Sequence, residues 1–340
     1  MGKERIFYLD FIRAFATIVI VLTHFNALFL FNVYRPENAV ITLYVGNIYI
    51  GAFGVSLFLI ISGAALMHVY GNREKFDYKT FYIKRSKTIF PMFWIAYFLV
   101  FLFEFYNNKT FFTVIPKQNI IFSFLGLDGY LLNFGVATFY RVGEWFLGFI
   151  ILIYLIFPFI IFLIKKVPWV LAISTVVLYV ITIVFWRDYP PCSMLLSTRL
   201  PEIVFGMFFI KYIKKIPWYI AVLALLIVVA NTLVAPDFID GNIQVTYIGI
   251  CSFLFLVFVA EHLKFEVVCR VCDVVCKYSY PCFIIHHYII SYMASKFDLS
   301  TISKLDSHLL FLSCCVMIVV FSYLLYNIDK KINDIAFGKK

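Results

Sequence analysis

Apolar runs of membrane-crossing length follow one another from Phe7 to Ile328, separated by short connections in which Lys, Arg, Asn and Pro collect. Ten of these runs are predicted as helical spans, at residues 7–31, 46–70, 81–103, 142–164, 168–186, 200–213, 217–235, 244–263, 278–296 and 308–328. Most reach the roughly 20 residues that a helix rising 1.5 Å per residue needs to cross a hydrocarbon core of about 30 Å. The sixth is short, and a further apolar stretch at 118–136 is left open between a re-entrant and an interfacial segment. The pattern predicts an all-α, polytopic helical membrane protein of about ten transmembrane helices, built as a single unit over residues 1–340. No internal repeat and no low-complexity tract stands out.

Composition agrees with the pattern. Of 340 residues, 63% are hydrophobic and 14% charged, against about 25% charged in ordinary soluble domains. The net charge of +10 would suggest nucleic acid if it were spread evenly, but it is not. With the N-terminus placed inside, 20 Lys and Arg fall on the inner side and eight on the outer. The positive-inside rule therefore predicts that both termini are cytoplasmic, and topology accounts for the charge without a nucleic-acid partner. The first apolar run is too long for a cleaved leader, is interrupted by Asp10 and Arg13, and lacks a small-x-small cleavage site, so it is expected to stay as the first span.

Eight cysteines are scattered over predicted spans and inner segments, so a disulfide framework is not expected. Cys269, Cys272 and Cys276, with His262 nearby, resemble a metal cluster only superficially. A structural zinc site needs four converging ligands, usually as paired short spacings. The segment reads instead as a short helix on the inner surface, and no metal is predicted.

The first span carries an Asp, an Arg and a His that an inert helix does not need. At ~100° per residue, His24 lies within roughly 40° of both Asp10 and Arg13, so the three form one stripe. Ionisable groups inside a membrane cost several kcal/mol unless they face protein or water, which marks the stripe as a candidate site. The plainer reading is that Asp10 and Arg13 lie near the membrane edge, snorkel and pair at i,i+3. His24, well inside the apolar run, fits that reading less well.

Other polar positions recur at span ends. Ser62-Gly63 in the second span suits either close helix packing or a site. Lys84, Arg85 and Lys87 stand at the inner mouth of the third span. They read either as a topological anchor or as a cradle for the phosphates of a cytoplasmic donor, where Arg offers two bonds and Lys a point charge. Glu144 and Trp145 open the fourth span, and Arg199 and Glu202 open the sixth. Trp145 also fits an aromatic belt, and Arg199 with Glu202 also fits an i,i+3 pair. In the ninth span Ser279, Phe283 and His286 share a helical face, placing a second histidine inside the membrane.

Taken in order, these pieces resemble acyltransferase family 3, the integral-membrane O-acyltransferases of bacterial surface glycans. Leu9-Asp10-x-x-Arg13-Ala14 followed by His24 resembles the family's first-helix signature of Arg, ten residues and His. Gly54-Val55-x-Leu57-Phe58-x-x-x-Ser62-Gly63 resembles its second-helix signature. Arg85 to Pro91 is similar to its R-x-x-R segment before Pro, with Thr88 at the second Arg position. Trp145-Phe146-Leu147 through Tyr154 and Pro158, Arg199-Leu200-Pro201-Glu202 through Gly206, and Ser279-Tyr280-x-x-Phe283-x-x-His286 also match. The resemblance runs from Tyr8 to about Tyr288.

The resemblance implies an O-acyltransferase in a bacterial cell membrane. It would move an acyl group, most often acetyl from acetyl-coenzyme A and otherwise succinyl, to a hydroxyl of a surface or exported polysaccharide. Acyl-coenzyme A would serve as a donor substrate on the cytoplasmic side and a glycan or lipid-linked glycan as acceptor, with no bound cofactor. His24 would be the catalytic residue, with Asp10 and Arg13 beside it in the signature. A histidine is suited to taking a hydroxyl proton or to carrying an acyl group transiently. Lys84, Arg85 and Lys87 would hold the donor, and Glu144, Trp145, Arg199, Glu202, Ser279 and His286 the acceptor. A polysaccharide flippase or polymerase would share the spans and the basic inner face without requiring the Asp10-Arg13-His24 stripe. A proton-coupled transporter would predict discontinuous spans in two related halves.

Overall fold

The computed structural model describes residues 5–109, 115–186 and 189–338. Lys3, Arg187, Lys339 and Lys340, which enter the charge count, lie outside the described residues. The protein is 78% helical, with twelve helices among the described residues. In chain order these are α1 (Phe7–Ala27), α2 (Ile50–Tyr70), α3 (Tyr78–Asn108), α4 (Ile120–Phe124), α5 (Asp128–Leu132) and α6 (Trp145–Lys166). They continue as α7 (Pro168–Phe185), α8 (Leu196–Phe208), α9 (Trp218–Val234), α10 (Gly241–His262), α11 (Glu266–Ala294) and α12 (Lys304–Phe337). A π-helical turn, Leu28–Asn32, prolongs α1, and another, Phe209–Ile213, prolongs α8.

Every predicted span falls on one of these helices. Among the described residues, seven are long and apolar enough to cross a membrane: α1 with its π-helical turn, α2, α3, α6, α7, α10 and α12. The other three predicted spans do not meet that measure. α8 has 13 residues, α9 has 17, and α11 carries Glu266, Arg270, Asp273 and Lys277 in its first half. The stretch 118–136 holds the end of a 3₁₀ turn, Lys117–Asn119, and the short helices α4 and α5, so it is no span. The cysteine segment expected to be a separate surface helix is instead the first half of α11, which runs unbroken through Pro281. All eight cysteines are free.

Local chemistry sets the boundaries. The span expected from residue 46 begins as a helix only at Ile50, because Tyr44–Val45 (β1) and Ile48–Tyr49 (β2) form an antiparallel hairpin first. Its two-residue turn is Gly46 and Asn47, at φ +55° and +61°. Positive φ at both positions suits the tight hairpin turn whose twist matches the strands, and Gly and Asn tolerate it best. Asp77 accepts a hydrogen bond from the Thr80 backbone N–H at 3.0 Å, capping α3.

The chain gathers into two compact units. The first comprises residues up to Thr23, Ile41–Phe76 and Phe157–Lys277. Its core joins Ile12, Ala16 and Val19 of α1 to Leu57, Ile60 and Ala64 of α2 and to Phe253 and Val257 of α10. Here α2 and α8 meet backbone to backbone. A methyl group on Gly63 would stand 2.0 Å from the Ile203 carbonyl oxygen, and one on Gly206 would stand 2.0 Å from that of Ile60. Small residues on both faces permit this approach, which gives Gly63 and Gly206 of the sequence motifs a packing role.

The second unit comprises His24–Val40, Asp77–Ile156 and the chain from Tyr278 onward. In it α12 packs on α3, and Phe25 packs against Phe29 and Phe311. The loop after α1 is tied to the start of α12. Asn38 Nδ2 donates to the Ile302 carbonyl at 2.9 Å, and Ser307 Oγ donates to the Asn38 carbonyl at 2.8 Å. Arg141 pairs with Glu104 of α3 at 2.7 Å.

Candidate active site

The second unit brings three of the predicted site residues together. His24 lies in the last turns of α1, Glu144 immediately precedes α6, and His286 sits within α11. One nitrogen from each histidine and one carboxylate oxygen lie within 4.8 Å of one another. The His24 and His286 ring centroids are 4.9 Å apart, and His24 Nδ1 stands 4.0 Å from Glu144 Oε1.

Backbone geometry aims Glu144. Gly143, at φ +78°, turns the chain into α6, and its N–H donates to the Ile284 carbonyl of α11 at 2.8 Å. The turn is therefore anchored two residues before His286, at a conformation glycine adopts without strain. On the other side, Gly129 of α5 leaves room for the Glu144 backbone, because a methyl group there would lie 2.9 Å from the Glu144 carbonyl carbon.

His286 is fully buried. Its Nδ1 lies 3.0 Å from the carbonyl oxygens of both Cys282 and Phe283. Carbonyl oxygens only accept, so Nδ1 carries the proton and Nε2 presents a lone pair. That Nε2 is buried without a hydrogen-bond partner among the described residues, and so is Glu144 Oε1. Two acceptors thus sit side by side with no donor assigned to them. Buried polar atoms left unpaired are uncommon and cost stability, so such a pair marks a place kept for something else.

Two neighbours were not singled out from sequence. His287 Nδ1 lies 3.3 Å from Glu144 Oε1, off hydrogen-bond angle, and its ring centroid is 5.3 Å from that of His24. Tyr140 hydroxyl donates to the Gly143 carbonyl at 2.6 Å and lies 3.3 Å from His287 Nδ1. Adjacent residues on a helix point about 100° apart, and here both His286 and His287 border the cluster. Tyr140 carries no sequence signal at all.

The other predicted residues are placed as follows. In the first unit, Arg13 stands 3.7 Å from Asp10. Arg5 is the closer partner, reaching Asp10 at 2.9 Å and Asp273 at 2.9 Å. Also in that unit, Arg199 Nη1 donates to both Glu202 carboxylate oxygens at 3.2 and 3.4 Å, and Arg199 Nε donates to the Ser193 carbonyl at 2.8 Å. In the second unit, Lys84 and Lys87 are exposed, while the half-buried Arg85 guanidinium lies over the Tyr154 and Phe81 rings at 5.6 and 6.0 Å. Trp145 packs edge-on against Phe146 and Phe149. Ser279 is half-buried on α11, and Phe283 joins the His286 and Phe146 rings.

The acyltransferase domain of acyltransferase family 3 matches residues 6–327. The chain belongs to this family. No curated protein and no solved structure matches the chain. The match reaches from the start of α1 to near the end of α12 and takes in both units. The protein is a multi-pass membrane acyltransferase.

Proposed function

We propose that the protein moves an acyl group, acetyl from acetyl-coenzyme A, to a hydroxyl of a surface or exported polysaccharide across a bacterial cell membrane. The observation that carries this reading is His24 set beside Glu144 and His286 where two buried lone pairs have no donor. An attacking hydroxyl supplies the missing hydrogen. As its oxygen bonds to the thioester carbonyl carbon, the C–S bond breaks and coenzyme A leaves as a thiol. Neutral His24 takes the hydroxyl proton and returns it to the departing sulfur. Glu144 favours the transient imidazolium, and His286 Nε2 orients the acceptor by accepting a hydrogen bond from a second hydroxyl of the sugar.

Lys84, Arg85 and Lys87 gather the donor phosphates on the cytoplasmic side, where both chain termini also lie. Trp145 and Ser279 border the acceptor. Arg199 and Glu202 are closed on each other and serve as a strut of the first unit rather than as a glycan contact. Asp10 and Arg13, linked to Arg5 and Asp273, fix the start of α1.

The experiment is mass spectrometry of the surface glycan from cells with and without the chain, paired with labelled acetyl-coenzyme A in isolated membranes. Chain-dependent label on a sugar hydroxyl is expected. Unchanged glycan and no chain-dependent transfer would overturn the reading, and transfer of succinyl alone would correct the donor.

A further inference from the structure

The cluster that holds His24 has a second property. Its ligand set, two imidazoles and one carboxylate, is one that open zinc sites use, with a fourth position left for water or substrate. The surroundings match as well. A metal-bound histidine usually donates its other ring N–H to a backbone carbonyl or a carboxylate, which fixes the tautomer. His286 does this already through Nδ1 to Cys282 and Phe283, leaving Nε2 buried, unpartnered and free to ligate. Glu144 Oε1 is likewise buried and unpartnered.

We propose that His24, Glu144 and His286 bind one zinc-class divalent ion, and that the bound ion switches acyl transfer off. The inhibitory part rests on the reading of His24 as the base, and the binding part does not. An ion held there occupies the lone pair that His24 needs to accept a proton, and it fills the space of the acceptor hydroxyl. Ligands bound tetrahedrally at about 2.0–2.2 Å stand roughly 3.4 Å apart. The His24 Nδ1–Glu144 Oε1 separation of 4.0 Å and the 4.8 Å limit on the cluster require contractions of about 0.6 Å and at most about 1.4 Å. Two neutral imidazoles and a carboxylate suit zinc rather than magnesium or calcium, which favour oxygen ligands.

The test uses the purified full-length protein in nanodiscs, titrated calorimetrically with Zn²⁺ alone, alongside Glu144→Gln and His286→Gln. One saturable site is expected, and each variant should weaken it by more than the ~10–100-fold that loss of an outer partner of a ligand costs. Thermal unfolding of each variant without zinc separates a lost ligand from a lost fold. For a variant that does not fold, bound Co²⁺ in the wild-type protein should show the visible absorption of a four-coordinate site. Acetyl transfer should fall as Zn²⁺ fills the site and return on adding a chelator. No saturable zinc site, or equal affinity in folded variants, would overturn the binding. Zinc that binds while transfer continues or rises would overturn the switch. Zinc binding in a protein that transfers no acyl group would sink the functional reading and leave the metal site standing.

Discussion

Two groupings of acid and base, one in each unit, look alike in sequence and behave differently in structure. Arg199 and Glu202 are nearly inaccessible, with side chains 4% and 0% exposed. One guanidinium nitrogen bonds both carboxylate oxygens, and another bonds the Ser193 carbonyl. His24, Glu144 and His286 are close without being closed, since Glu144 Oε1 and His286 Nε2 have no partner among the described residues. Arg199 and Glu202 are fully enclosed, whereas in the second grouping only His286 is, His24 and Glu144 keeping side chains 25% and 12% exposed. The difference that matters is whether each donor and acceptor has been spent, and the grouping with unspent lone pairs is the one able to bind something that comes and goes.

That contrast can be broken by substitution, and the largest effect should come from His24. His24→Ala is expected to lower acyl transfer at least by the ~10²–10⁴-fold that general acid–base catalysis supplies, with expression and unfolding temperature unchanged. Near-normal transfer in a well-expressed variant would refute the catalytic assignment. Next come the two carboxylates. Removing Glu202 leaves Arg199 buried and uncompensated, a change that costs about 3–5 kcal/mol of stability. Glu144→Gln removes an unpaired acceptor, so its unfolding temperature should hold or rise while its transfer rate falls. Thermal melts of Glu202→Ala and Glu144→Gln decide between these, and equal destabilisation would erase the distinction between the two groupings.

A smaller effect is expected where charge meets an aromatic face. If Arg85 holds a donor phosphate, Arg85→Ala loses a charged hydrogen bond of about 1.5–3 kcal/mol, or roughly 10- to 150-fold in the KM for acyl-coenzyme A. Lys87→Ala should cost less, since a guanidinium makes two bonds where an ammonium acts as a point charge. Unchanged donor KM in both would return the cluster to the role of a topological anchor. The smallest perturbation is a reporter fused in a loop. Fusions after Lys75, Lys166, Lys215 and Lys264 should read cytoplasmic, and those near Pro36, Asp237 and Asp298 should read outside. An inverted pattern would reverse the side from which each grouping is reached.

Much of this was legible from residue order, because membrane-length apolar runs leave few alternatives to helices. All ten predicted spans coincide with helices, and His24, Glu144 and His286 were each marked by being ionisable where apolar residues prevail. Their meeting was not legible. It depends on Gly143 bonding Ile284 across 141 positions, a contact that no local pattern announces. Nothing in residue order separates His287 from other neighbours of a site residue, and one tyrosine among 23 carries no signal for Tyr140. The length of α11 was misread for a different reason. Its charged first half lowers the hydropathy of the segment without interrupting its helical bonding. Arg5 was counted only as an inner-side charge, whereas it is the principal partner of Asp10.

The π-helical turn Leu28–Asn32 gives the site a sensitivity to length that composition does not reveal. Such a turn holds one more residue than an α-helical turn, so the chain leaves it about 100° out of phase with a regular continuation of α1. Asn38, which reaches Ile302 and Ser307, takes its bearing from that offset. Deleting Asn32 should let the turn relax to regular helix with no loss of an apolar residue. The loop then departs in another direction, and the C-terminal end of the helix that presents His24 loses its tether to α12. In this segment the number of residues carries information separate from their identity.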